Sequence, residues 1–288
     1  MGSHIWLFAV ASLIGGLLAL FLAIGIVHPR SAAIAVAPPD QVVTVNGFKT
    51  RFRSHGDRGP AVVLLHGFGG SLDVWEDVIA QGPEARYYSL DLLGFGGSDR
   101  PVIDYSLEAH RRHVVALMDA QGLRSVILVG HSMGGSIAAW TAAKSGERVS
   151  GLMLLAPGGY PGSLKYDWPA GWFYRPGFFN RVAAMFVHNR AFGYLFPTSL
   201  ARQGIGITAT YDEEFARALA EVRQPVLLAW STGDRRVPYA FSQRYLSRLA
   251  NARLRNLPES VGHDAPSDSK DVADGLKELL QMISNDER

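Results

Sequence analysis

The chain contains no cysteine. That excludes disulfides, cysteine-held zinc or iron–sulfur centres and a thiol nucleophile, and it leaves the redox compartment open. Charge of either sign is scarce and nearly balanced: 28 basic and 26 acidic side chains among 288 residues leave a net charge of +2. So small an excess, with no block of like charges, argues against a nucleic-acid partner. The H-E-x-x-H pattern of a zinc site is absent, and neither a metal nor another cofactor is expected. Apolar residues, in contrast, make up 48% of the chain, enough for a large core, and 31 glycines imply frequent tight turns. The length allows one large domain or two ordinary ones.

Charge is missing altogether from Ile5 to Val27 (IWLFAVASLIGGLLALFLAIGIV). As a helix this run extends roughly 34 Å, against about 30 Å for the hydrocarbon core of a bilayer. Residues 5–27 are therefore read as a single-pass transmembrane anchor, with the membrane as a partner. A cleaved secretory signal, which would release a secreted or periplasmic body, is the rival. Signals usually have a shorter apolar stretch behind Lys or Arg, whereas only Met-Gly-Ser-His precedes this one. Arg30 alone lies near the end of the run, so the membrane face is not set. Residues 28–40 (HPRSAAIAVAPPD) read as a linker to a separately folded body.

Residues 41–288 change hydropathy period repeatedly. Val42–Val45 and Phe48–Phe52 flank Asn46-Gly47, a two-residue hairpin signal. Short strands are expected at Ala61–Leu65, Tyr87–Leu90, Ser125–Val129, Leu152–Leu155, Val226–Trp230 and Ala252–Leu257. Helices are expected over Leu107–Ala120, Met133–Lys144, Ala240–Leu249 and Val272–Ile283. This alternation implies an α/β fold, a mostly parallel sheet with helices on both faces and the hairpin at one edge. Between Gly158 and about Val222 the rhythm breaks for roughly 60 residues, far more than an ordinary connection. The stretch is rich in aromatic residues from Tyr160 to Phe196 and reads as a helical cap insertion. Such an insertion would overhang the ligand crevice at the C-terminal edge of the sheet.

Gly130-His131-Ser132-Met133-Gly134 places G-x-S-x-G between a strand and a helix. There the serine occupies a strained turn, and side chains at either glycine would collide. Ser132 is the candidate nucleophile, with an ordinary cap or turn serine as the bland reading. A hydroxyl needs a base, and the base needs an orienting acid; the chain order for this turn is Ser, then Asp or Glu, then His. Past Ser132 the histidines are His188, inside the insertion, and His263, in the turn-rich loop Ser260–Pro266. His263 is the candidate base. Asp234, in a Gly-Asp turn after Val226–Trp230, is the candidate acid, while Glu259 and Asp264 would share the base's own loop. Asp212, Glu213 and Glu214 read as charges at a helix N-terminus. Two N–H donors should face a developing oxyanion: that of Met133 and that of Phe68, with Gly67 as the fallback. His66 reads as a structural loop histidine.

These segments resemble the α/β-hydrolase superfamily, specifically its capped serine esterase and lipase branch. The matching motifs are HGFGGSLDVW (His66–Trp75), DLLGFGGSDRP (Asp91–Pro101), GHSMGG (Gly130–Gly135), GDRRVP (Gly233–Pro238) and VGHDAP (Val261–Pro266). The likeness runs from Val42 to the C-terminus and implies an α/β-hydrolase fold with a helical cap. It also implies a carboxylic ester hydrolase working through an acyl-enzyme, with no cofactor. Together with the apolar N-terminal run, the chain is similar to membrane-anchored monoacylglycerol lipases, which implies an apolar ester or monoacylglycerol as the small-molecule substrate. Haloalkane dehalogenases and epoxide hydrolases place Asp at the nucleophile position, so Ser132 argues against both. Carbon–carbon bond hydrolases share the serine but usually carry Asn in place of His131, and often Trp in place of Asp264. They and cofactor-free perhydrolases are the enzymatic alternatives; a weakly active receptor or scaffold is the non-enzymatic one. Oligomeric state and substrate-binding residues stay open.

Overall fold

The structure is a computed structural model and describes residues 12, 13, 15, 16, 38–164 and 199–286. Strands β1 (Gln41–Val45) and β2 (Phe48–His55) pair antiparallel across Asn46-Gly47. Their φ values of +52° and +80° are the left-handed pair that a two-residue hairpin turn requires. The remaining strands are β3 (Ala61–Leu65), β4 (Arg86–Leu90), β5 (Val126–His131), β6 (Val149–Leu155), β7 (Val226–Ser231) and β8 (Ala252–Leu257). They form one eight-stranded sheet in the order β1-β2-β4-β3-β5-β6-β7-β8. The expectation of a mostly parallel sheet is corrected to a mixed one. The hairpin reverses the chain, so β2 runs antiparallel to both β1 and β4, while the pairings from β4 through β8 are parallel.

The parallel strands read as unbroken apolar runs because both of their faces are covered. In β3, Val63 and Leu65 point into one core while Val62 and Leu64 point into another. The same alternation sends Leu128, Leu154 and Leu228 to the first core and Val129, Leu155 and Ala229 to the second. The first face is covered by α2 (Leu107–Ala120), capped by Ser106 Oγ accepting the Ala109 N–H at 3.1 Å, by α3 (Met133–Lys144) and by the helix Ala240–Leu246 through Tyr245. Over the second face lie α1, here Glu76–Gln81, and the C-terminal helix Ser269–Asp286, whose Val272, Leu276 and Leu279 are buried at helical spacing. Element ends differ from the hydropathy reading where backbone pairing outruns side-chain polarity. β6 begins at Val149, because Val149 pairs with Val126 although Ser150 interrupts the apolar run.

The transmembrane anchor is also corrected. Among the described residues no helix is long and apolar enough to cross a membrane. Apart from residues 12, 13, 15 and 16, the Ile5–Val27 run lies outside the described residues, as do residues 28–37 of the linker. The membrane partner, the single-pass placement and the likeness to anchored lipases rested on that helix and go with it. At the end of the linker, the Asp40 carboxylate accepts from Arg51 at 2.7 Å and Arg53 at 2.6 Å, binding it to β2. Residues 165–198 of the expected cap, including its aromatics from Tyr166 to Phe196 and His188, lie outside the described residues. Its described C-terminal part is helical, at Ser199–Ala209 and Glu213–Ala218. Asp212 caps the second of these helices by accepting the Glu214 and Phe215 N–H groups.

Candidate active site

Four loops leave the C-terminal ends of parallel strands on one side of the sheet: His66–Gly70 after β3, Ser132 after β5, Asp234 after β7 and His263 after β8. All four line a cavity of about 790 Å³, through Phe68, Ser132, Arg236 and His263.

The nucleophile position is built by local sterics. β5 ends at His131 and α3 begins at Met133, so Ser132 alone turns the chain, with φ +51° and ψ −111°. A positive φ costs a non-glycine residue about 1–3 kcal/mol, so the turn must be held by its surroundings. The Ser132 N–H donates to the Leu155 carbonyl at 2.9 Å, and the Ser132 carbonyl accepts the Gly158 N–H at 3.0 Å. A Cβ on Gly130 would stand 2.3 Å from the Gly134 carbonyl oxygen, and one on Gly134 would stand 2.2 Å from that of Leu65. Both glycines are required by close backbone approach.

His263 brings its ring between two partners. Nε2 lies 2.9 Å from Ser132 Oγ, and Nδ1 lies 2.7 Å from Asp234 Oδ2. The second carboxylate oxygen, Oδ1, accepts the N–H groups of Arg236 at 2.9 Å and Val237 at 2.8 Å. A carboxylate only accepts, so Nδ1 carries the ring proton and Nε2 is left to accept from the Ser132 hydroxyl. The ring is bonded to Asp234 rather than to Glu259 or Asp264. Three residues far apart in the chain thus meet in one hydrogen-bonded line.

Both expected oxyanion donors border the cavity. Met133 is the first residue of α3, where an N–H has no partner within the helix. Phe68 sits in a turn closed by the Gly70 N–H on the Gly67 carbonyl at 3.1 Å, its ring edge-on to Phe95. That loop is pinned from below by His66, which is fully buried. Its Nδ1 donates to the Gly67 carbonyl at 2.7 Å and its Nε2 accepts the Leu92 N–H at 3.0 Å. Burial pushes its pKa down, which favours the neutral ring these two bonds require. Asp91 accepts from the Leu72 N–H, the Gly97 N–H and Arg51, fastening the neighbouring rim.

Sequence reasoning passed over two residues here. His131, weighed only for what it says about carbon–carbon bond hydrolases, is half-buried, and its Nε2 donates to the His263 carbonyl at 2.7 Å. Burial first, and then the nearby His263, hold it neutral, with its pKa pushed down to about 3. Tyr211 borders the cavity and donates its hydroxyl to Ser136 Oγ at 2.8 Å, while Ser136 donates to the Met133 carbonyl. An imidazole beside the nucleophile was a readable signal for the first; nothing in the sequence marked the second. Among the described residues no group of three or more His, Asp or Glu side chains could hold a metal ion.

The strand order, the serine turn after β5 and the Ser132–His263–Asp234 line coincide with a match of residues 60–194 to the α/β-hydrolase fold family model. The chain has the α/β-hydrolase fold. Solved structures agree at low identity. A meta-cleavage product hydrolase from Pseudomonas fluorescens IP01 is 23% identical with a TM-score of 0.61, covering 83% of this chain and 97% of that one. An enol-lactonase from Burkholderia xenovorans LB400 is 21% identical with a TM-score of 0.65, covering 82% and 100%. A Mycobacterium tuberculosis protein of uncharacterised function is 38% identical over 126 residues, 43% of this chain. The chain spans 37% of that relative's length.

Within this α/β-hydrolase fold the site can do one kind of chemistry directly. The hydroxyl of Ser132 can lose its proton to His263 as it adds to an electrophilic centre, and Phe68 and Met133 line the same cavity.

Proposed function

We propose that the chain is a hydrolase of small organic substrates in which Ser132 attacks a carbonyl carbon. The carrying observation is the 2.9 Å and 2.7 Å line from Ser132 through His263 to Asp234 at the wall of a cavity. His263 takes the serine proton as the Oγ–C bond forms and gives it to the leaving group as the bond from the carbonyl carbon to that group breaks, leaving the acyl-enzyme. Asp234 keeps the proton on Nδ1, and the Phe68 and Met133 N–H groups bind the oxyanion. Water then repeats the cycle on the acyl-enzyme.

A carboxylic ester is the first candidate, because an alcohol leaves after a single proton transfer and the cavity presents apolar walls at Val74, Leu164 and Ile207. A carbon–carbon bond beside a carbonyl is the second. The likeness to a meta-cleavage product hydrolase, a hydrolase by its name, favours it, as does the cationic Arg236 among the cavity residues. The two are separated by comparing turnover of p-nitrophenyl butyrate with that of a vinylogous 1,5-diketone. A fluorophosphonate probe should label the wild-type chain and not Ser132→Ala. Labelling without turnover of either substrate would favour a receptor or scaffold; no labelling would refute the serine mechanism.

A further inference from the structure

His263 is carried on a loop that holds itself together internally. The Gly262 and Asp264 N–H groups donate to Glu259 and Val261, and Gly262 turns the chain with φ +59°. Its fastening to the sheet comes from Ser231 Oγ, which donates to the Pro258 carbonyl at 2.7 Å, near the start of the loop. At the histidine itself the backbone is held from the opposite direction. His131 Nε2 donates to the His263 carbonyl at 2.7 Å, and the two rings lie 5.0 Å apart. The same imidazole presses against the oxyanion loop, since a Cβ on Gly67 would stand 2.8 Å from His131 Nδ1 and 3.4 Å from Ser132 Cβ. His131, the chain neighbour of Ser132, therefore joins the base's backbone to the nucleophile turn and lies beside Gly67 of the oxyanion loop. Its titratable surroundings are His263, Asp234 and His66.

We propose that His131 is a positioning residue: its Nε2–H clamps the His263 carbonyl to the nucleophile turn and sets the spacing between Nε2 of His263 and Oγ of Ser132. The proposal rests on the serine mechanism above. The physical reason is leverage. Asp234 fixes the far nitrogen of the ring, but a ring held at one atom and released at its backbone can swing away from the hydroxyl, and about 1 Å of misplacement costs on the order of 10²-fold in rate.

The test compares His131→Phe, which keeps a ring without a donor, with His131→Gln, whose amide N–H can replace Nε2–H; His131→Leu stands in if the phenylalanine variant does not fold. Fluorophosphonate labelling, kcat and KM on p-nitrophenyl butyrate, and thermal midpoints are measured on the full chain. Phenylalanine or leucine should lower both kcat and the labelling rate by roughly 10- to 100-fold with KM within about threefold, and glutamine should restore most of the loss. Unchanged kcat in the donor-free variants, or glutamine no better than phenylalanine, would overturn the positioning role while leaving the serine mechanism intact. Failure of the wild-type chain to label at Ser132 would overturn the mechanism itself.

Discussion

Asp234 and His263 are joined by one oxygen only: Oδ2 takes the ring Nδ1 at 2.7 Å while Oδ1 is held by two backbone N–H groups. This division of labour decides what an amide would do there. In Asp234→Asn the carbonyl oxygen must stay with the two N–H donors, which turns the NH2 toward Nδ1. The ring proton is then driven to Nε2, where it can no longer accept from Ser132. We expect kcat to fall by about 10⁴-fold with the fold intact, as for the equivalent exchange in serine proteases. Near-normal turnover in the asparagine variant would assign the acid role elsewhere.

Ser132→Ala and His263→Ala should each nearly abolish turnover, and the double variant should be little worse than either, because the proton transfer needs both groups at once. Multiplicative losses in the double variant would show that the two residues act independently.

Gly134→Ala should destabilise the fold by about 3 kcal/mol or more, since the added methyl meets the Leu65 carbonyl oxygen at 2.2 Å and neither backbone can give way. Urea midpoints measure this directly. A midpoint within error of wild type would mean that the turn is not closed against β3 as described.

Acid should weaken the fold through its buried histidines. Burial, and for His110 also the nearby His113 and His66, pushes His110 down to about 3; burial pushes His113 down to about 4. Both are neutral in the folded chain at pH values where the unfolded chain, with ordinary pKa values near 6.5, already binds protons. Stability is therefore complete above about pH 6.5 and falls as pH drops toward 4, by up to about 1.4 kcal/mol per pH unit for each histidine. Both ring nitrogens of His110 are buried without a hydrogen-bond partner among the described residues, so His110→Leu should flatten the dependence of urea midpoint on pH between about pH 6.5 and about pH 4.5. An equal slope in both chains would assign the acid sensitivity to other groups.

On esters, the apolar cavity wall should reward longer acyl chains. Each buried CH₂ contributes about 0.8 kcal/mol, so kcat/KM should rise several-fold per two carbons until the cavity is filled. A flat or falling series from p-nitrophenyl acetate to the octanoate would count against an apolar acyl site.

Local pattern by itself determined the parts of this protein that depend on near neighbours. Ala61–Leu65 and Leu107–Ala120 are element for element as their periodicity implies, because side-chain alternation and helix caps act within a few residues. Asn46-Gly47 likewise announced its hairpin through backbone freedom alone. The strand–turn–helix setting of Ser132 was legible for the same reason: two glycines and an adjacent helix are local requirements. The same kind of reading misjudged the sheet, because hydropathy says whether a strand is buried but not which way its neighbour runs. It also proposed a membrane span from apolarity that the described helices do not supply. The meeting of Ser132, Asp234 and His263 was decided by tertiary structure, since only the parallel order of β5, β7 and β8 brings their C-terminal loops to one edge. So was the bond from His131 to the His263 carbonyl: a backbone oxygen has no signature in a sequence, and its partner is chosen by where the folded chain puts it.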